Sequence, residues 1–153
     1  MQKDDFSNSY VVEGKLALPY TYFAGRLGST FLTTLRDQAR IMGVRCDKCG
    51  KVFLPPRQTC ERCLEDIRDK WVALESTGVV VNFTVVRQQD KHLPRKTPYV
   101  LGMIKLDGAD TPIVHIIEGV DPDKISEGMR VNAIFAPESE PSILLINHFE
   151  PAA

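Results

Sequence analysis

Two C-x-x-C pairs constrain what this chain can fold into more than any other feature of its sequence. The pairs are Cys46/Cys49 and Cys60/Cys63, separated by ten residues, and they contain every cysteine in the chain. Two such pairs are typical of a tetrahedral metal site in which each pair forms a tight knuckle around one ion. Gly50, directly after Cys49, allows the sharp backbone turn that a knuckle requires. The sequence therefore predicts a metal site with the ligands Cys46, Cys49, Cys60 and Cys63.

A closed shell of four thiolates is typical of a structural zinc site, because no position stays open for water or substrate. The same ligands hold iron in rubredoxin-like sites, so the sequence leaves both metals open. Zinc is favoured because nothing else in the chain suggests electron transfer. A redox dithiol would need one reactive pair at the start of a helix, whereas this chain has two matched pairs. No cysteine remains to serve as a catalytic nucleophile.

Composition bounds the class of protein. The chain has 153 residues, of which 43% are hydrophobic, so it can form one compact domain with a small appendage. Its formal net charge of -1 gives no electrostatic footprint for general nucleic-acid binding. The sequence contains no apolar run long enough to span a bilayer, and its polar N-terminus does not resemble a signal peptide. We therefore expect a cytoplasmic protein that binds neither membrane nor nucleic acid.

Residues 1–43 are predicted to form an N-terminal arm followed by an amphipathic helix. Residues 11–18 are compatible with a short extended arm, and three aromatics follow that pack either on their own domain or on a partner: Tyr20, Tyr22 and Phe23. The helix is predicted to start at Ser29 as N-cap and to end before Gly43. Its apolar positions recur at helical spacing, at Phe31, Leu32, Leu35, Ala39 and Met42. This apolar stripe is expected to pack on the body of the protein or, as the alternative, to form a contact with a partner protein.

Residues 44–70 are predicted to form the zinc ribbon, and residues 71–150 an OB-fold barrel. Five short strands are expected, at residues 78–86, 99–106, 112–118, 129–135 and 143–149, with one helical turn near residues 121–125. Asp107-Gly108 is a hairpin signal after the second strand. The expected fold class is mainly β with a small α part: an N-terminal arm and helix, a rubredoxin-like zinc ribbon, and a C-terminal OB-fold barrel.

The sequence does not predict an enzyme that works alone. Its three histidines, His92, His115 and His148, share no helical or knuckle spacing, and a lone histidine within a strand is more often a core residue than a catalytic one. Nucleophile-elbow and phosphate-loop patterns are absent. The alternative is a nucleic-acid-binding module, since zinc ribbons and OB-folds both occur in such proteins.

At this point the chain resembles a known family, the acyl-CoA-associated proteins that join a rubredoxin-like zinc ribbon to an OB-fold and were long filed as a domain of unknown function. The resemblance covers roughly residues 30–150 and is carried by residues 45–57, 60–63, 71, 78–86, 98–104 and 128–131. The resemblance implies a non-catalytic subunit that partners a thiolase, shapes the acyl-CoA site, and leaves the catalytic cysteine and histidines to the partner. The stretch before residue 29 departs from the shorter members of the family.

Within the family, the length of the chain and its N-terminal arm are similar to those of the small zinc-finger subunits of two-subunit thiolases in anaerobic toluene degradation. Those enzymes cleave benzoylsuccinyl-CoA to benzoyl-CoA and succinyl-CoA. The resemblance implies coenzyme A as a ligand of the complex, and basic residues are candidates to bind its phosphates: Arg57, Arg87, Lys91, Arg95 and Lys96. The other interpretation is that Arg57 solvates the metal site and that the loop 87–96 is solvated.

Overall fold

The computed structural model describes Gly14, residues 20–89, Leu93, and residues 95–137 and 141–152. One helix, α1 (Gly25–Gln38), precedes a ribbon sheet in the order β2-β1-β3. Its strands are β1 (Met42–Arg45), β2 (Val52–Phe53) and β3 (Trp71–Ala73). A closed barrel follows in the order β4-β5-β6-β8-β7. Its strands are β4 (Thr77–Val86), β5 (Tyr99–Leu106), β6 (Ile113–Ile117), β7 (Arg130–Phe135) and β8 (Ile146–Pro151).

This arrangement confirms the predicted fold class: a small α part, a four-cysteine ribbon and a five-stranded OB-like barrel. The predicted arm at residues 11–18 falls almost wholly outside the described residues, as do Lys91 and His92. Within the described part of the chain, no helix combines the length and the apolar character that crossing a membrane would need.

Both predicted ends of the helix are wrong. Helix α1 begins at Gly25, and Ser29 lies inside it, where its hydroxyl donates to the Gly25 carbonyl oxygen at 2.7 Å instead of capping the start. The helix ends four residues earlier than expected, because Ala39 adopts a left-handed conformation with φ 49°. Gly43 lies in β1, where an added Cβ would stand 3.0 Å from the carbonyl oxygen of Phe53. The missing side chain of Gly43 therefore allows β1 and β2 to pair closely, and Gly43 does not end the helix.

The apolar stripe of α1 packs on the protein's own barrel. Phe31 and Leu35 are 5% and 1% exposed and belong to the main core, together with Leu145 and Phe149 of the barrel side. Burial on this scale stabilises each side chain by about 2–3 kcal/mol. The stripe is therefore not available to a partner protein, and it is removed from the candidate contact surfaces.

The barrel strands follow the expected pattern with two local differences. In β5 the residues Val100, Ile104 and Leu106 point into the core while Met103 and Lys105 face outward, as a period of two requires. Residues 143–145 form a 3₁₀ turn rather than strand, so the last strand starts only at Ile146. The predicted helical turn is a single hydrogen-bonded turn, in which Lys124 N donates to Asp121 O at 2.8 Å.

The ribbon is fixed to the barrel by the hairpin between β5 and β6. Asp110 N donates to Val52 O at 2.9 Å, and Val52 N donates to Asp110 Oδ2 at 2.8 Å. Leu54 N donates to Thr111 Oγ1 at 2.7 Å, and the same hydroxyl donates back to Leu54 O at 2.8 Å. These four bonds satisfy the outer edge of β2 and its continuation, so the hairpin couples the ribbon and the barrel directly.

Asp107 ties three barrel strands together, and we expect its removal to change the acid sensitivity of the fold. Arg130 donates from Nη1 and Nη2 to the Asp107 carboxylate at 2.8 and 2.5 Å, and Thr77 Oγ1 donates at 2.6 Å. The hydrogen bonds from Arg130, then that from Thr77, hold the pKa of Asp107 well below its ordinary value. Because the folded pKa lies below the unfolded one, this stabilisation is present above about pH 4 and is lost as the pH falls.

We therefore expect Asp107→Asn to lower the melting temperature at pH 7. The melting temperature of this variant should also differ less between pH 7 and pH 3 than that of the wild type. Thermal unfolding followed by circular dichroism at both values measures this. Asp123→Asn, at an exposed carboxylate that pairs with Arg87, is the control and should keep the wild-type difference. An Asp107→Asn protein that loses as many degrees between the two pH values as wild type would contradict the assignment.

Candidate functional site

The four cysteines meet at one end of the ribbon. All four Sγ atoms lie within 4.8 Å of one another, and Cys49 Sγ stands 3.7 Å from Cys60 Sγ. A tetrahedron with zinc–sulfur bonds of about 2.3 Å has sulfur–sulfur edges of about 3.8 Å, so this spacing fits four ligands around one ion. It is far longer than a disulfide bond of about 2.05 Å. The four cysteines are therefore positioned to bind a metal ion.

The two knuckles have matching backbones. Gly50 N donates to Cys46 O at 2.7 Å, and Leu64 N donates to Cys60 O at 2.9 Å. The residue after the second cysteine of each pair is left-handed, with φ 76° at Gly50 and φ 57° at Leu64. Glycine at the first of these positions was a usable sequence signal. The second could not be predicted, because leucine rarely adopts this conformation.

The thiols cannot all ionise in this pocket without a cation among them. Burial raises the pKa of Cys60, but hydrogen bonds from the backbone of Cys63 and Arg62 outweigh it and bring that pKa to about 7. Burial and the neighbouring thiols, first that of Cys49, raise the pKa of Cys63 to about 12. A divalent ion at the centre would compensate the four thiolates and displace their protons. The donor set of four closely spaced cysteine sulfurs thus fits a divalent metal ion.

The metal site is also the core of the ribbon. Its buried cluster consists of five residues, and two of them are metal-binding cysteines: Val44, Cys46, Phe53, Cys60 and Ile67. Leu54, the residue after Phe53, belongs instead to the main core that the helix and the barrel share. The ribbon therefore has little apolar core of its own.

Three basic residues near the knuckles, Lys48, Lys51 and Arg57, pair with acids. Arg57 lies with its guanidinium carbon 4.7 Å from the Phe53 ring centroid, and its Nη1 donates to Glu61 at 2.8 Å. Lys51 donates to the other oxygen of Glu61 at 2.6 Å. Lys48 pairs with Glu65 at 3.3 Å. This pairing favours the interpretation that these residues solvate the ribbon and brace Phe53.

The other candidate residues lie around the barrel. Arg87 pairs with Asp123 at 2.7 Å, and Arg95 donates from Nε to Glu118 at 2.9 Å. Lys96 is exposed beside Arg95. Arg95 and Lys96, which are neighbours in the chain, thus lie on the barrel, whereas Arg57 lies on the ribbon.

One polar cluster was not predicted from the sequence. Arg95 Nη2 donates to Asn147 Oδ1 at 2.8 Å, while His148 Nδ1 stands 3.5 Å from the second carboxylate oxygen of Glu118. His115 lies nearby in β6, is 5% exposed, and has its pKa lowered chiefly by burial. These residues come from separate stretches of the chain, so no local sequence pattern predicts the cluster.

Comparison with known proteins matches both parts of this architecture. Residues 34–67 match the family model of the ChsH2 rubredoxin-like zinc ribbon domain, and residues 71–136 match that of the ChsH2 C-terminal OB-fold domain. A DUF35 domain-containing scaffold protein of Methanocaldococcus jannaschii is 29% identical over 101 residues, which are 66% of this chain and 71% of that protein. Another, of Pyrococcus furiosus, is 24% identical over 110 residues, or 69% and 76% of the two chains.

Solved structures agree with these matches. The Ltp2-ChsH2(DUF35) aldolase superposes with a TM-score of 0.65 at 25% identity, covering 84% of this chain and 97% of that one. A DUF35 protein of Sulfolobus solfataricus shares the fold, with a TM-score of 0.60 at 24% identity over 72% of this chain and 78% of its own. Residues 34–136 thus match two ChsH2 domain models in succession, a rubredoxin-like zinc ribbon followed by a C-terminal OB-fold domain, and the chain is similar to DUF35 proteins.

Proposed function

We propose that this chain is a non-catalytic scaffold subunit of a thiolase-type complex that acts on acyl-CoA. The observation that carries the proposal is that all four cysteines of the chain are gathered in the metal cluster. A thiolase needs a cysteine nucleophile, so that nucleophile must come from another chain. The similar archaeal proteins are described as scaffold proteins, and the aldolase superposed above pairs a ChsH2 domain with Ltp2.

The division of labour would follow from the chemistry of thiolysis. The partner's cysteine attacks the keto carbon of the acyl-CoA substrate, the adjacent carbon–carbon bond breaks, and the acyl group stays on the cysteine as a thioester. The carbanion released in this step is protonated and leaves as the first acyl-CoA product. The thiolate of coenzyme A then attacks the thioester, which frees the cysteine thiolate and releases the second acyl-CoA. This chain would complete the entrance for coenzyme A and hold the partner in a competent shape. The substrate we propose is benzoylsuccinyl-CoA, which would yield benzoyl-CoA and succinyl-CoA. A metal site of reduced cysteines suits the cytoplasm, where we place the complex.

The aromatics before α1 are the partner contact that we propose. Tyr20, Tyr22 and Phe23 are 80%, 77% and 88% exposed, although large aromatic side chains gain most from burial. Exposed aromatics of this kind are enriched at protein–protein contacts. Because the apolar stripe of α1 is buried in the protein's own core, these three aromatics are the candidates for the partner contact that remain.

The barrel surface does not favour the nucleic-acid alternative. An OB-fold binds single strands on the outer face of its middle strands, with cations for the backbone and aromatics for the bases. Lys105 of β5 is a single cation that faces outward, and one row paired across β4, β5 and β6 on this face consists of Asn82, Met103 and Val114. None of these three side chains is a cation or an aromatic ring.

Co-expression with a thiolase-type catalytic subunit of the same genome tests the proposal. We expect the two chains to co-purify and to elute together in size-exclusion chromatography. Replacing both Tyr22 and Phe23 by Ser should weaken the complex at least tenfold, because two large apolar contacts are lost. Leu144→Ser is the control, since Leu144 is likewise an exposed large apolar residue, with 62% of its surface accessible, but lies at the barrel. A chain that elutes alone beside a folded catalytic subunit would refute the proposal.

A further inference from the structure

A cavity of about 500 Å³ opens at the end of the barrel where β5 begins and β6 ends. One wall is formed by residues 95, 96 and 98–100, and the other by residues 117–120 and 122. Pro98, Val120 and Pro122 make part of the lining apolar, and Lys96 lies among them. Such a cavity fits an elongated ligand that has an apolar body and an anionic group.

Lys96 differs in its charge balance from the three arginines that were also proposed to contact coenzyme A. Arg57, Arg87 and Arg95 each pair with a carboxylate, at 2.8, 2.7 and 2.9 Å. Lys96 is exposed, and within the part of the chain that the structure describes no carboxylate forms an ion pair with it. A phosphate gains most from a cation whose charge is not already compensated. Among the four candidates that the structure describes, Lys96 is therefore the cation best suited to an incoming anion.

Arg95 lines the same cavity but is held by the protein. Its Nε donates to Glu118 Oε1 at 2.9 Å, and its Nη2 donates to Asn147 Oδ1 at 2.8 Å. Glu118 follows β6 and Asn147 lies in β8, so the guanidinium joins the segment before β5 to two other strands. A planar fork with two fixed acceptors restrains the backbone on which the next residue, Lys96, is carried.

We propose that this cavity binds the phosphate-bearing end of coenzyme A, with Lys96 as the contacting cation and Arg95, through Glu118 and Asn147, as a positioning residue. The inference rests on the proposed function and narrows it, because it excludes Arg57 and Arg87 as phosphate contacts. The apolar lining beside Lys96 would take the less polar part of the same ligand.

Titration calorimetry of the co-purified complex with coenzyme A tests the contact. We expect Lys96→Ala to weaken binding about tenfold, the loss of one charge-assisted contact, and Lys96→Arg to retain most of the affinity. Lys105→Ala is the matched control, because it removes the same charge from the far end of β5. Nine extended residues, at most about 30 Å, separate Lys105 from Lys96. This variant should bind coenzyme A as the wild type does. The affinity of the wild type should fall with added salt, and that of Lys96→Ala should fall less steeply.

Glu118→Gln separates a positioning role from a simple electrostatic one. Removing a negative charge from the cavity wall would, by charge alone, tighten the binding of an anion. If Arg95 is positioned through Glu118, the same change should instead weaken binding several-fold. In a Lys96→Ala background, Glu118→Gln should not weaken the binding of coenzyme A any further, because both changes act through the same contact.

The outcomes separate this inference from the function on which it rests. If the complex forms but coenzyme A does not bind the wild type at all, the coenzyme A role of the proposed function is lost. If wild type binds and Lys96→Ala binds equally well, the cavity is not the phosphate site and the inference is overturned. Tighter binding by Glu118→Gln would overturn the positioning role of Arg95.

Discussion

Removal of the metal is expected to unfold the ribbon, residues 42–73, while the barrel keeps its strands. The three ribbon strands contain only four, two and three residues. Two of the five residues in the buried cluster of the ribbon are metal-binding cysteines, so the ion takes the place of a hydrophobic core. Segments this short rarely fold without a metal or a disulfide, and structural zinc supplies about 10–16 kcal/mol in comparable peptides.

Hydrogen exchange before and after treatment with a chelator measures this directly. We expect amide protection to disappear in β1–β3 and to persist in β4–β8, and Cys49→Ser should behave like the chelated protein. Arg62→Ser is the matched control, because Arg62 lies between two ligands without being one. Ribbon amides that stay protected after the metal has been removed would show that the cysteines do not hold this part of the fold.

Among Gly→Ala substitutions at the described glycines, Gly78→Ala is expected to destabilise the barrel most. An added Cβ would stand 2.5 Å from Lys105 O and 2.9 Å from Leu106 Cα, and both are backbone atoms of the paired strand. Backbone cannot rotate away as a side chain can, so β4 and β5 would have to separate. Overpacking of this kind costs about 3 kcal/mol, which corresponds to a fall of about 6–12 °C in Tm for a chain of this size.

Thermal unfolding of three glycine variants checks the argument. Gly102→Ala also creates a close approach, 2.3 Å, but to the flexible Cδ1 of Ile117, and should cost less. Gly28→Ala meets only Ala24 Cβ at 3.6 Å within α1 and should be neutral or stabilising by up to about 1 kcal/mol. A Gly78→Ala protein that melts within 2 °C of wild type would contradict the close β4–β5 pairing.

The sequence specified the parts of the fold that depend on local pattern. The bounds of β5 agree with the prediction, because a β-branched and aromatic run is ended there by a hairpin signal. The helix ends were missed for a physical reason. Serine can bond back within a helix as well as cap it, and glycine serves close strand pairing as well as helix ends.

The metal site was predictable and the environment of the basic residues was not. Each knuckle lies within a few consecutive residues, so spacing alone identified the ligands. The acceptors of Arg95, in contrast, are 23 and 52 residues away in the chain. Whether a cation is paired is decided by such distant partners, and a single sequence does not reveal them.

The rate of benzoylsuccinyl-CoA thiolysis by the separately purified subunits, alone and mixed, measures whether the complex requires this chain. We expect no turnover with this chain alone, little with the catalytic subunit alone, and full activity when the two are mixed. A catalytic subunit that reaches the same rate without this chain, or turnover by this chain alone, would contradict its role as a non-catalytic subunit that the complex requires.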